Sequence, residues 1–532
     1  MHFPAISRFL SCQALALTVI GIAAIIPATA QAAESCEALG KFQKASLVIS
    51  SASAQAAGAF QIPGKPENVK ANAALPAFCR VVGTVAAGKN SSIGFELWIP
   101  PAAAWNGKLL VVGNGGYVGA IQYHELEPAI RRGYAVVSSD SGHVDTSAYR
   151  HETLQWGADH PEKIADWAER STHVAAEAAK ALVKQFEGRN AGKSYFFGCS
   201  TGGGQALMAA QRYPQDFDGI IAGAPGFRRS GLNEGFLWMA TQNMKSAAGY
   251  IPPAKLPFIN QAAIAACGAG DGVIDDPRRC RFDPAAMQCK NDVDGPSCLT
   301  GAQIATLKKM YSGAVNARSG EQVYPGWPVG SEFGYAGGWG YAIEGPQPFR
   351  LEFFRDWVFK DSQWDWRTFD WDKDLGIVDA VIGRTVDATD PDLSAFKKHG
   401  GKLILYHGWA DPIGNAYDTI NYYEKMAAKT HDAPSFARLF LMPGMGHCRG
   451  GVGPNAFDAI GTLDQWVESG QPPTKMIALK SAATDGTGGL ASGAPEQAQG
   501  KTRPICAYPQ TAKYRGQGSR DDAASFVCSK PL

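Results

Sequence analysis

Short apolar strands and amphipathic helices alternate along this chain, and that alternation constrains its fold more than any other feature of the sequence. Strands are predicted from apolar runs that end in glycine or polar residues, and helices from apolar residues three or four positions apart. The strands are predicted at 108–112, 134–140, 194–198, 218–223, 402–407 and 437–442, and the helices at about 171–186, 202–213 and 416–430. This order is typical of a largely parallel sheet with helices on both faces. The sequence therefore predicts an α/β fold.

One long segment interrupts the alternation. Residues 227–399 contain seven of the 13 tryptophans and four cysteines, with little regular order of strand and helix. A segment of roughly 170 residues has the size of a domain. We therefore expect a leader at 1–32, an α/β domain in two parts at 33–226 and 400–532, and an inserted lid domain at 227–399.

The N-terminus is typical of a secretory signal peptide. Arg8 precedes an apolar stretch at 14–26, and two Ala-x-Ala sites follow, so cleavage is expected after Ala30 or Ala32. The alternative is a membrane anchor, but the stretch is shorter than the roughly 20 residues that a span needs. We expect a secreted or periplasmic protein without a membrane span.

The charge and the cysteine content restrict the classes of partner and of metal site that are expected for this chain. The chain has 50 Lys and Arg against 49 Asp and Glu, with no long run of one sign, which argues against a nucleic-acid partner. Ten cysteines lie beyond the leader, and an even number in an exported protein predicts five disulfides. No Cys-x-x-Cys pair occurs, which argues against structural zinc.

A serine stands at a turn between a predicted strand and a predicted helix. The segment Gly198-Cys199-Ser200-Thr201-Gly202 matches Gly-x-Ser-x-Gly, the pattern of a sharp turn that exposes a nucleophilic serine above an α/β sheet. Glycines flank such a serine because the strained turn leaves no room for side chains. Ser200 is therefore the candidate nucleophile.

Two later loops supply the residues that a serine nucleophile requires. Asp411 follows the strand that ends at His407, and His447 follows the strand that ends at Met442. Both lie at the carboxyl ends of predicted strands, and the order Ser, Asp, His is that of α/β hydrolases. The alternatives are a turn-forming Asp before Pro412 and a simple exposed loop histidine. Their joint order and placement favour a triad of Ser200, Asp411 and His447.

The triad predicts acyl transfer, with Asp411 orienting His447 and His447 accepting the proton of Ser200. The backbone N–H groups of Thr201 and of either Gly115 or Gly116 are the expected oxyanion donors. Cys199 precedes the serine and Cys448 follows the histidine. If the triad is assembled, these cysteines lie within disulfide distance, the alternative being that each pairs with a sequence neighbour.

Taken together, these residues resemble the tannase and feruloyl esterase family of secreted α/β hydrolases. The resemblance spans the mature chain and rests on Gly198-Cys-Ser-Thr-Gly-Gly203, His407-Gly-Trp-Ala-Asp-Pro412, Pro443-Gly-Met-Gly-His-Cys448, Trp105-Asn-Gly107 with Gly113-Asn-Gly-Gly116, and Pro504-Ile-Cys506 with Phe526-Val-Cys528. It implies an α/β-hydrolase fold with a lid, no organic cofactor, and hydrolysis of small esters of aromatic acids. It also implies disulfides joining Cys36 to Cys79, Cys267 to Cys280, Cys289 to Cys298 and Cys506 to Cys528.

The chain departs from the family pattern at two places. The family usually has arginine where this chain has Gly204, so a bond from that arginine is missing. The family's calcium loop in the lid is shortened here, and Asp271, Asp275 and the carbonyl of Val273 are the expected ligands of a structural Ca²⁺. The alternative is an Asp-Gly turn held by a disulfide.

The sequence therefore predicts a secreted serine esterase of feruloyl type. The alternatives are a tannase or a mono(2-hydroxyethyl) terephthalate hydrolase on the same scaffold, a silent phenolic-binding protein and a peptidase. A terephthalate monoester would need a cationic partner, for which the lid offers Arg350, Arg355, Lys360 and Arg367. One or more lid tryptophans are expected near the substrate, from Trp327, Trp339, Trp357, Trp364 and Trp366.

Overall fold

A nine-stranded sheet forms the centre of the computed structural model, which describes residues 35–64, 75–145, 153–481, 489 and 500–530. The predicted leader at 1–32 lies outside the described residues. Within these ranges the strands are β1 (Leu47–Gln55), β2 (Phe78–Val85), β3 (Ile93–Ile99), β4 (Lys108–Val112), β5 (Ala135–Ser139), β6 (Lys193–Cys199), β7 (Gly219–Gly223), β8 (Ala314–Val315), β9 (Gln322–Tyr324), β10 (Lys402–Gly408), β11 (Ala437–Met442), β12 (Lys475–Leu479), β13 (Thr502–Cys506), β14 (Thr511–Tyr514) and β15 (Phe526–Ser529).

The strand order in the large sheet is β1-β2-β3-β5-β4-β6-β7-β10-β11. Strands β5, β4, β6, β7, β10 and β11 pair in parallel, whereas β1, β2 and β3 form an antiparallel edge that joins β5. The parallel part confirms the predicted α/β class. Because parallel strands share one direction, the segments that follow β4, β6, β10 and β11 all emerge at the same edge of the sheet.

Helices cover the sheet and continue into the inserted segment. The helices in the described chain are α1 (Tyr123–Arg131), α2 (Pro161–Ala165), α3 (Ser171–Glu187), α4 (Thr201–Arg212), α5 (Arg229–Met244), α6 (Leu256–Cys267), α7 (Gly301–Ser312), α8 (Gly340–Ile343), α9 (Lys373–Val378), α10 (Arg384–Val386), α11 (Ser394–Lys398), α12 (Ala416–Lys429) and α13 (Ala459–Ser469). Short π-helical segments lie at Asp166–Arg170, Phe353–Val358 and Asp379–Gly383.

Both faces of the central strands are buried. Successive residues of a strand point to opposite faces, so Phe196 belongs to one apolar cluster and Phe197 to the other. Leu109 and Leu110 on β4 divide in the same way. This double burial explains why these strands are continuous apolar runs in the sequence rather than alternating patterns.

The chain leaves the sheet after β7 and returns on β10, which pairs in parallel with β7. The intervening segment builds its own apolar cluster around Trp327 and Trp339. A second cluster contains Trp357 and Trp366 together with Tyr117 of the main body. The fold is therefore an α/β hydrolase with an inserted lid that is rich in aromatic residues. The boundaries at 226/227 and 399/400 stay predictions.

The ten cysteines beyond residue 34 form five disulfides. The pairs are Cys36–Cys79, Cys199–Cys448, Cys267–Cys280, Cys289–Cys298 and Cys506–Cys528. All five predicted pairings are confirmed, and two of them lie within the lid. Among the helices that the structure describes, none combines the length and the apolar character needed to cross a membrane.

Candidate active site

Ser200 occupies a strained turn between β6 and α4. Its backbone has φ 63° and ψ −118°, a region that residues other than glycine rarely adopt. The turn is fixed on both sides, because the Ser200 N–H donates to the carbonyl of Gly223 at 3.0 Å and the Ser200 carbonyl accepts from Gly226 at 2.9 Å. Backbone strain at a well-anchored serine is the local structure that the Gly-x-Ser-x-Gly pattern predicts.

The flanking glycines are required by close backbone approaches. A Cβ on Gly198 would lie 2.2 Å from the carbonyl oxygen of Gly202, and a Cβ on Gly202 would lie 2.9 Å from the carbonyl oxygen of Asn114. Neither neighbour is the end of a flexible side chain that could move aside. Larger residues at these positions would displace the turn that carries Ser200.

Asp411 and His447 meet as predicted. The Nδ1 atom of His447 lies 2.7 Å from Oδ2 of Asp411, and Asp411 is completely buried. This bond leaves Nε2 of His447 as the ring nitrogen that can exchange a proton. His447 lines one narrow cleft together with Ser200 and Gly116. The structure thus brings the three predicted residues to the same edge of the sheet.

The Asp411 carboxylate is held in its charged form. Burial alone would raise the pKa of Asp411, but the charge of His447 and hydrogen bonds from His407 and His447 lower the pKa below its usual range. Its second oxygen, Oδ1, accepts from the backbone N–H groups of Ile413 at 2.8 Å and Gly414 at 2.9 Å. Such a carboxylate can fix the tautomer of an imidazole and stabilise an imidazolium.

His407 also contacts Asp411, and the sequence analysis did not predict this contact. It belongs to the quoted His407-Gly-Trp-Ala-Asp-Pro412 motif, but no role was predicted for it. Its Nε2 lies 3.1 Å from Oδ2 of Asp411, so two imidazole rings share one carboxylate oxygen. The available signal was a histidine at the end of an otherwise apolar strand.

Thr201 and Gly116, the predicted oxyanion donors, lie side by side. The hydroxyl of Thr201 donates to the carbonyl oxygen of Gly116 at 2.7 Å. Gly116 has φ 55°, which favours glycine, and Thr201 is the first residue of α4, where a backbone N–H has no acceptor within the helix. The loop that contains Gly116 is anchored to α4, since Gly202 donates to Asn114 at 2.6 Å.

An arginine does contact this turn, although not from position 204. A Cβ on Gly204 would lie 2.7 Å from the carbonyl oxygen of Gly226, so that position has no room for a side chain. Arg229, which is buried on α5, donates from Nη2 to the hydroxyl of Thr201 at 2.7 Å. The guanidinium that the sequence lacks at 204 is thus present beside the turn from another element.

The cleft wall is aromatic and aliphatic. Besides Ser200 and His447, its lining includes Tyr117, Leu232, Phe236, Phe349 and Ile413. Among the described residues that line the cleft, none is one of the five lid tryptophans expected near the substrate, and their proximity to a substrate stays a prediction. Trp327 instead stacks behind Phe236, with ring centroids 5.6 Å apart. The lid tryptophans fill cores, because large rings are needed there to exclude water.

One of the four cationic lid residues reaches the cleft. Arg350 lines it and lies over the rings of Tyr117, at 4.6 Å, and Phe349, at 4.7 Å. The other three lie outside this lining: Arg355 donates to Trp364, Lys360 pairs with Asp159, and Arg367 pairs with Asp365. The tertiary structure therefore selects Arg350.

The predicted calcium ligands bind a side chain instead. Arg503 on β13 donates from Nη1 to Asp275 at 2.8 Å and from Nη2 to Asp271, and the carbonyl of Val273 accepts from Ala269 at 3.4 Å. In the described ranges no group of three or more His, Cys, Asp or Glu side chains could hold a metal ion. Two carboxylates already bridged by a guanidinium do not fit a cation that prefers six to eight oxygens. In this arrangement the residues predicted as calcium ligands do not fit the ion.

Comparisons with known proteins agree with this geometry. The sequence model of the family described as tannase and feruloyl esterase matches residues 79–529. The chain is 37% identical to an uncharacterized esterase of Xanthomonas campestris pv. campestris, over 98% of this chain and 95% of the relative. It is 33% identical to the mono(2-hydroxyethyl) terephthalate hydrolase of Piscinibacter sakaiensis, over 86% of each. The crystal structure of feruloyl esterase B from Aspergillus oryzae superposes with a TM-score of 0.82 and 28% identity, covering 93% of this chain and 99% of that one.

The fold and the comparisons define a carboxylic ester hydrolase of the α/β-hydrolase class. The chain belongs to the tannase and feruloyl esterase family.

The Cys199–Cys448 disulfide joins the residues next to Ser200 and His447, and it generates a testable prediction. Its sequence separation of 249 residues corresponds to about 5 kcal/mol of unfolding free energy in the chain-entropy model, before strain is considered. The double variant Cys199→Ala/Cys448→Ala should therefore lose several kcal/mol of unfolding free energy, measured by denaturant titration, and also lose esterase activity.

The matched control is Cys289→Ala/Cys298→Ala, which opens a lid disulfide of separation 9. It should cost about 3 kcal/mol at most and leave kcat unchanged. Equal losses of activity in both double variants, measured under conditions where both are folded, would show that the Cys199–Cys448 bond has no special effect on the site.

Proposed function

We propose that this protein is a secreted serine carboxylesterase that hydrolyses esters of aromatic carboxylic acids, of feruloyl type, with Ser200, His447 and Asp411 as its triad. The observation that carries the proposal is the 2.7 Å bond between His447 and the buried Asp411, in a cleft that Ser200 also lines. Binding alone would not require a strained serine and a charged carboxylate behind a histidine.

The mechanism follows from this arrangement. Nε2 of His447 accepts the hydroxyl proton as Oγ of Ser200 attacks the ester carbonyl, and Asp411 stabilises the resulting imidazolium. The backbone N–H groups of Thr201 and Gly116 stabilise the oxyanion of the tetrahedral intermediate. The C–O bond to the alcohol breaks, and the alcohol leaves with the proton from His447. A water molecule, deprotonated by His447, then hydrolyses the acyl-enzyme to release the acid. No step uses a cofactor.

The aromatic acyl specificity is supported by the cleft lining and by the named relatives. Tyr117, Phe236 and Phe349 line the cleft together with Ser200, and an aromatic wall suits a flat acyl group better than a flexible aliphatic chain. Two of the relatives above are named for esters of aromatic acids, one a feruloyl ester and the other a terephthalate ester.

A second candidate substrate carries a free carboxylate on the aromatic acid. Arg350 supports it, because a guanidinium that lines the cleft together with Ser200 suits an anionic group. With such a substrate the protein would be a mono(2-hydroxyethyl) terephthalate hydrolase. Hydrolysis of a gallate ester would instead make it a tannase.

Export is part of the proposal. Five disulfides are typical of proteins from oxidising compartments such as the periplasm or the exterior of the cell.

Replacing the nucleophile tests the reaction class. Ser200→Ala should lower kcat for methyl ferulate by a factor of at least about 1,000, because the proposed acyl-enzyme forms on Oγ of Ser200. A fluorophosphonate probe should add one label to the native protein, at Ser200. The exposed Ser469→Ala is the matched control and should retain full activity. Residual turnover above about a thousandth would indicate another nucleophile, and an unlabelled, inactive native protein would indicate a binding protein.

Comparing substrates tests the role of Arg350. Arg350→Met should lower kcat/KM for mono(2-hydroxyethyl) terephthalate by about 10- to 100-fold, because a charge-assisted hydrogen bond is lost, while methyl ferulate and methyl gallate change much less. Arg355→Met, which alters a lid arginine outside the described cleft lining, is the control. Equal losses on all three esters would rule out recognition of a carboxylate by Arg350.

A further inference from the structure

His407 and Thr419 lie behind the proposed triad and hold its carboxylate from the protein interior. The side chain of His407 is completely buried on β10. One ring nitrogen, Nε2, lies 3.1 Å from Oδ2 of Asp411, and the other, Nδ1, lies 2.8 Å from the hydroxyl of Thr419 on α12. Because both nitrogens are bonded, the ring cannot turn without losing a hydrogen bond in a region that water does not reach.

The contact between Asp411 and His407 is closely packed by the residues around it. A Cβ on Gly414 would lie 2.9 Å from Oδ2 of Asp411 and 3.0 Å from Nε2 of His407. Two backbone N–H groups occupy Oδ1, and two imidazole rings occupy Oδ2. An ionised carboxylate has about four acceptor sites, so all of its hydrogen-bonding capacity is used.

We infer that His407 is a positioning residue, which fixes Oδ2 of Asp411 and limits how strongly that oxygen binds the imidazolium of His447. The inference rests on the proposed triad. A donor on Oδ2 draws charge from the oxygen that faces His447. Without it, Asp411 would stabilise the protonated form of His447 more strongly, and the base would become free only at higher pH.

The other charged and titratable groups near His407 and Asp411 are the same in the native protein and in the variants at position 407. Arg229 and Arg350 line the same cleft as His447, and the buried phenol of Tyr324 lies close enough to interact with Asp411. None of them is altered by a substitution at 407. Replacing a positively charged His407 would favour the protonated form of His447, as replacing a neutral His407 does, because it removes a positive charge near His447.

The experiment compares His407→Leu with His407→Gln. His407→Leu should lower kcat for methyl ferulate by about 10- to 100-fold with little change in KM, because Asp411 is less well placed in the transition state. The acid limb of its kcat/KM profile should move to higher pH. His407→Gln retains an N–H donor at similar reach and should restore most of kcat and the native acid limb.

His173→Leu is the matched control. It removes another imidazole that is bonded to a carboxylate, with Nδ1 at 2.7 Å from Asp216, and neither of these two residues lines the cleft. It should leave the pH profile unchanged.

Native kcat and an unmoved acid limb in a folded His407→Leu would overturn the inference. Equal losses in the Leu and Gln variants without a shift of the limb would also overturn it, since the ring would then only fill space. Either result would leave the proposed function intact, because that proposal fails only if Ser200→Ala stays active or the native protein has no esterase activity.

A second observation, independent of the triad, concerns Arg503. Its side chain is 3% exposed, it bridges Asp271 and Asp275, and its guanidinium lies 4.6 Å from the ring centroid of Phe526. Asp276, the remaining acidic residue of this loop, is bound by Arg278 through two hydrogen bonds of 2.8 and 2.7 Å. The loop's three carboxylates are therefore all paired with guanidinium groups.

In the family that this chain resembles, the lid loop binds a Ca²⁺ ion. The structure assigns the corresponding position to the guanidinium of Arg503. It joins the lid loop to the C-terminal strand β13 and compensates the charge of two carboxylates that are close together. A planar guanidinium can donate to both carboxylates at once, which a lysine cannot do with fixed geometry. The lid loop should therefore be stable without calcium.

The native protein is tested first. Its Tm should be the same in EDTA and in millimolar Ca²⁺, and Tb³⁺ should show no stoichiometric luminescent binding. Arg503→Met should lower the Tm, because the partly buried carboxylates of Asp271 and Asp275 lose their partner. Adding Asp271→Asn and Asp275→Asn to that variant should recover part of the loss. Arg503→Lys, which keeps a charge, should fall between the native protein and Arg503→Met.

Binding of Ca²⁺ or Tb³⁺ by the native protein, or a Tm that falls in EDTA, would overturn this assignment. So would an Arg503→Met variant of native Tm, or an amide variant that recovers nothing. These measurements do not depend on esterase activity, so they stand apart from the proposed function.

Discussion

The buried charge of Asp411 is the constraint on which the proposed site depends. An isolated carboxylate in the interior would take up a proton, and a protonated Asp411 could not stabilise an imidazolium. The protein keeps the charge by providing four donors, two from the backbone of the loop that follows Asp411 and two from histidine rings. The loop geometry, the glycine at 414 and the polar histidine inside an apolar strand are consequences of this one requirement.

The sheet brings this carboxylate to the nucleophile. Strands β6, β10 and β11 run in parallel, so the turn at Ser200 and the loops of Asp411 and His447 leave the sheet at one edge. The Cys199–Cys448 disulfide then connects the first of these segments to the last. Burial on both faces of the sheet makes the scaffold rigid, which lets a strained serine backbone persist.

The inserted segment supplies part of the cleft wall, while the three proposed triad residues lie outside it. Its tryptophans build cores, while Leu232, Phe236, Phe349 and Arg350 reach the cleft. None of the five tryptophans expected near the substrate is among the described residues that line the cleft, since composition shows that a segment is aromatic without showing which rings face inwards. The expected calcium ligands Asp271 and Asp275 contact a side chain that their local sequence does not reveal. Their partner, Arg503, lies more than 200 positions away in the chain.

From the residues alone follow the α/β class, the serine turn, the order of Asp411 and His447, and the Cys199–Cys448 pairing, whereas the other four disulfide pairings were implied by the family resemblance. The features read from the residues are of two kinds. Some are local patterns, such as Gly198 and Gly202 around Ser200. The pairing of Cys199 with Cys448 follows from one assumed contact, because these cysteines are the sequence neighbours of Ser200 and His447. The contacts of His407, Arg229, Arg350 and Arg503 are evident only in the folded chain. Each acts through a contact between segments distant in sequence or through the direction in which one side chain points, and no local pattern encodes either of these.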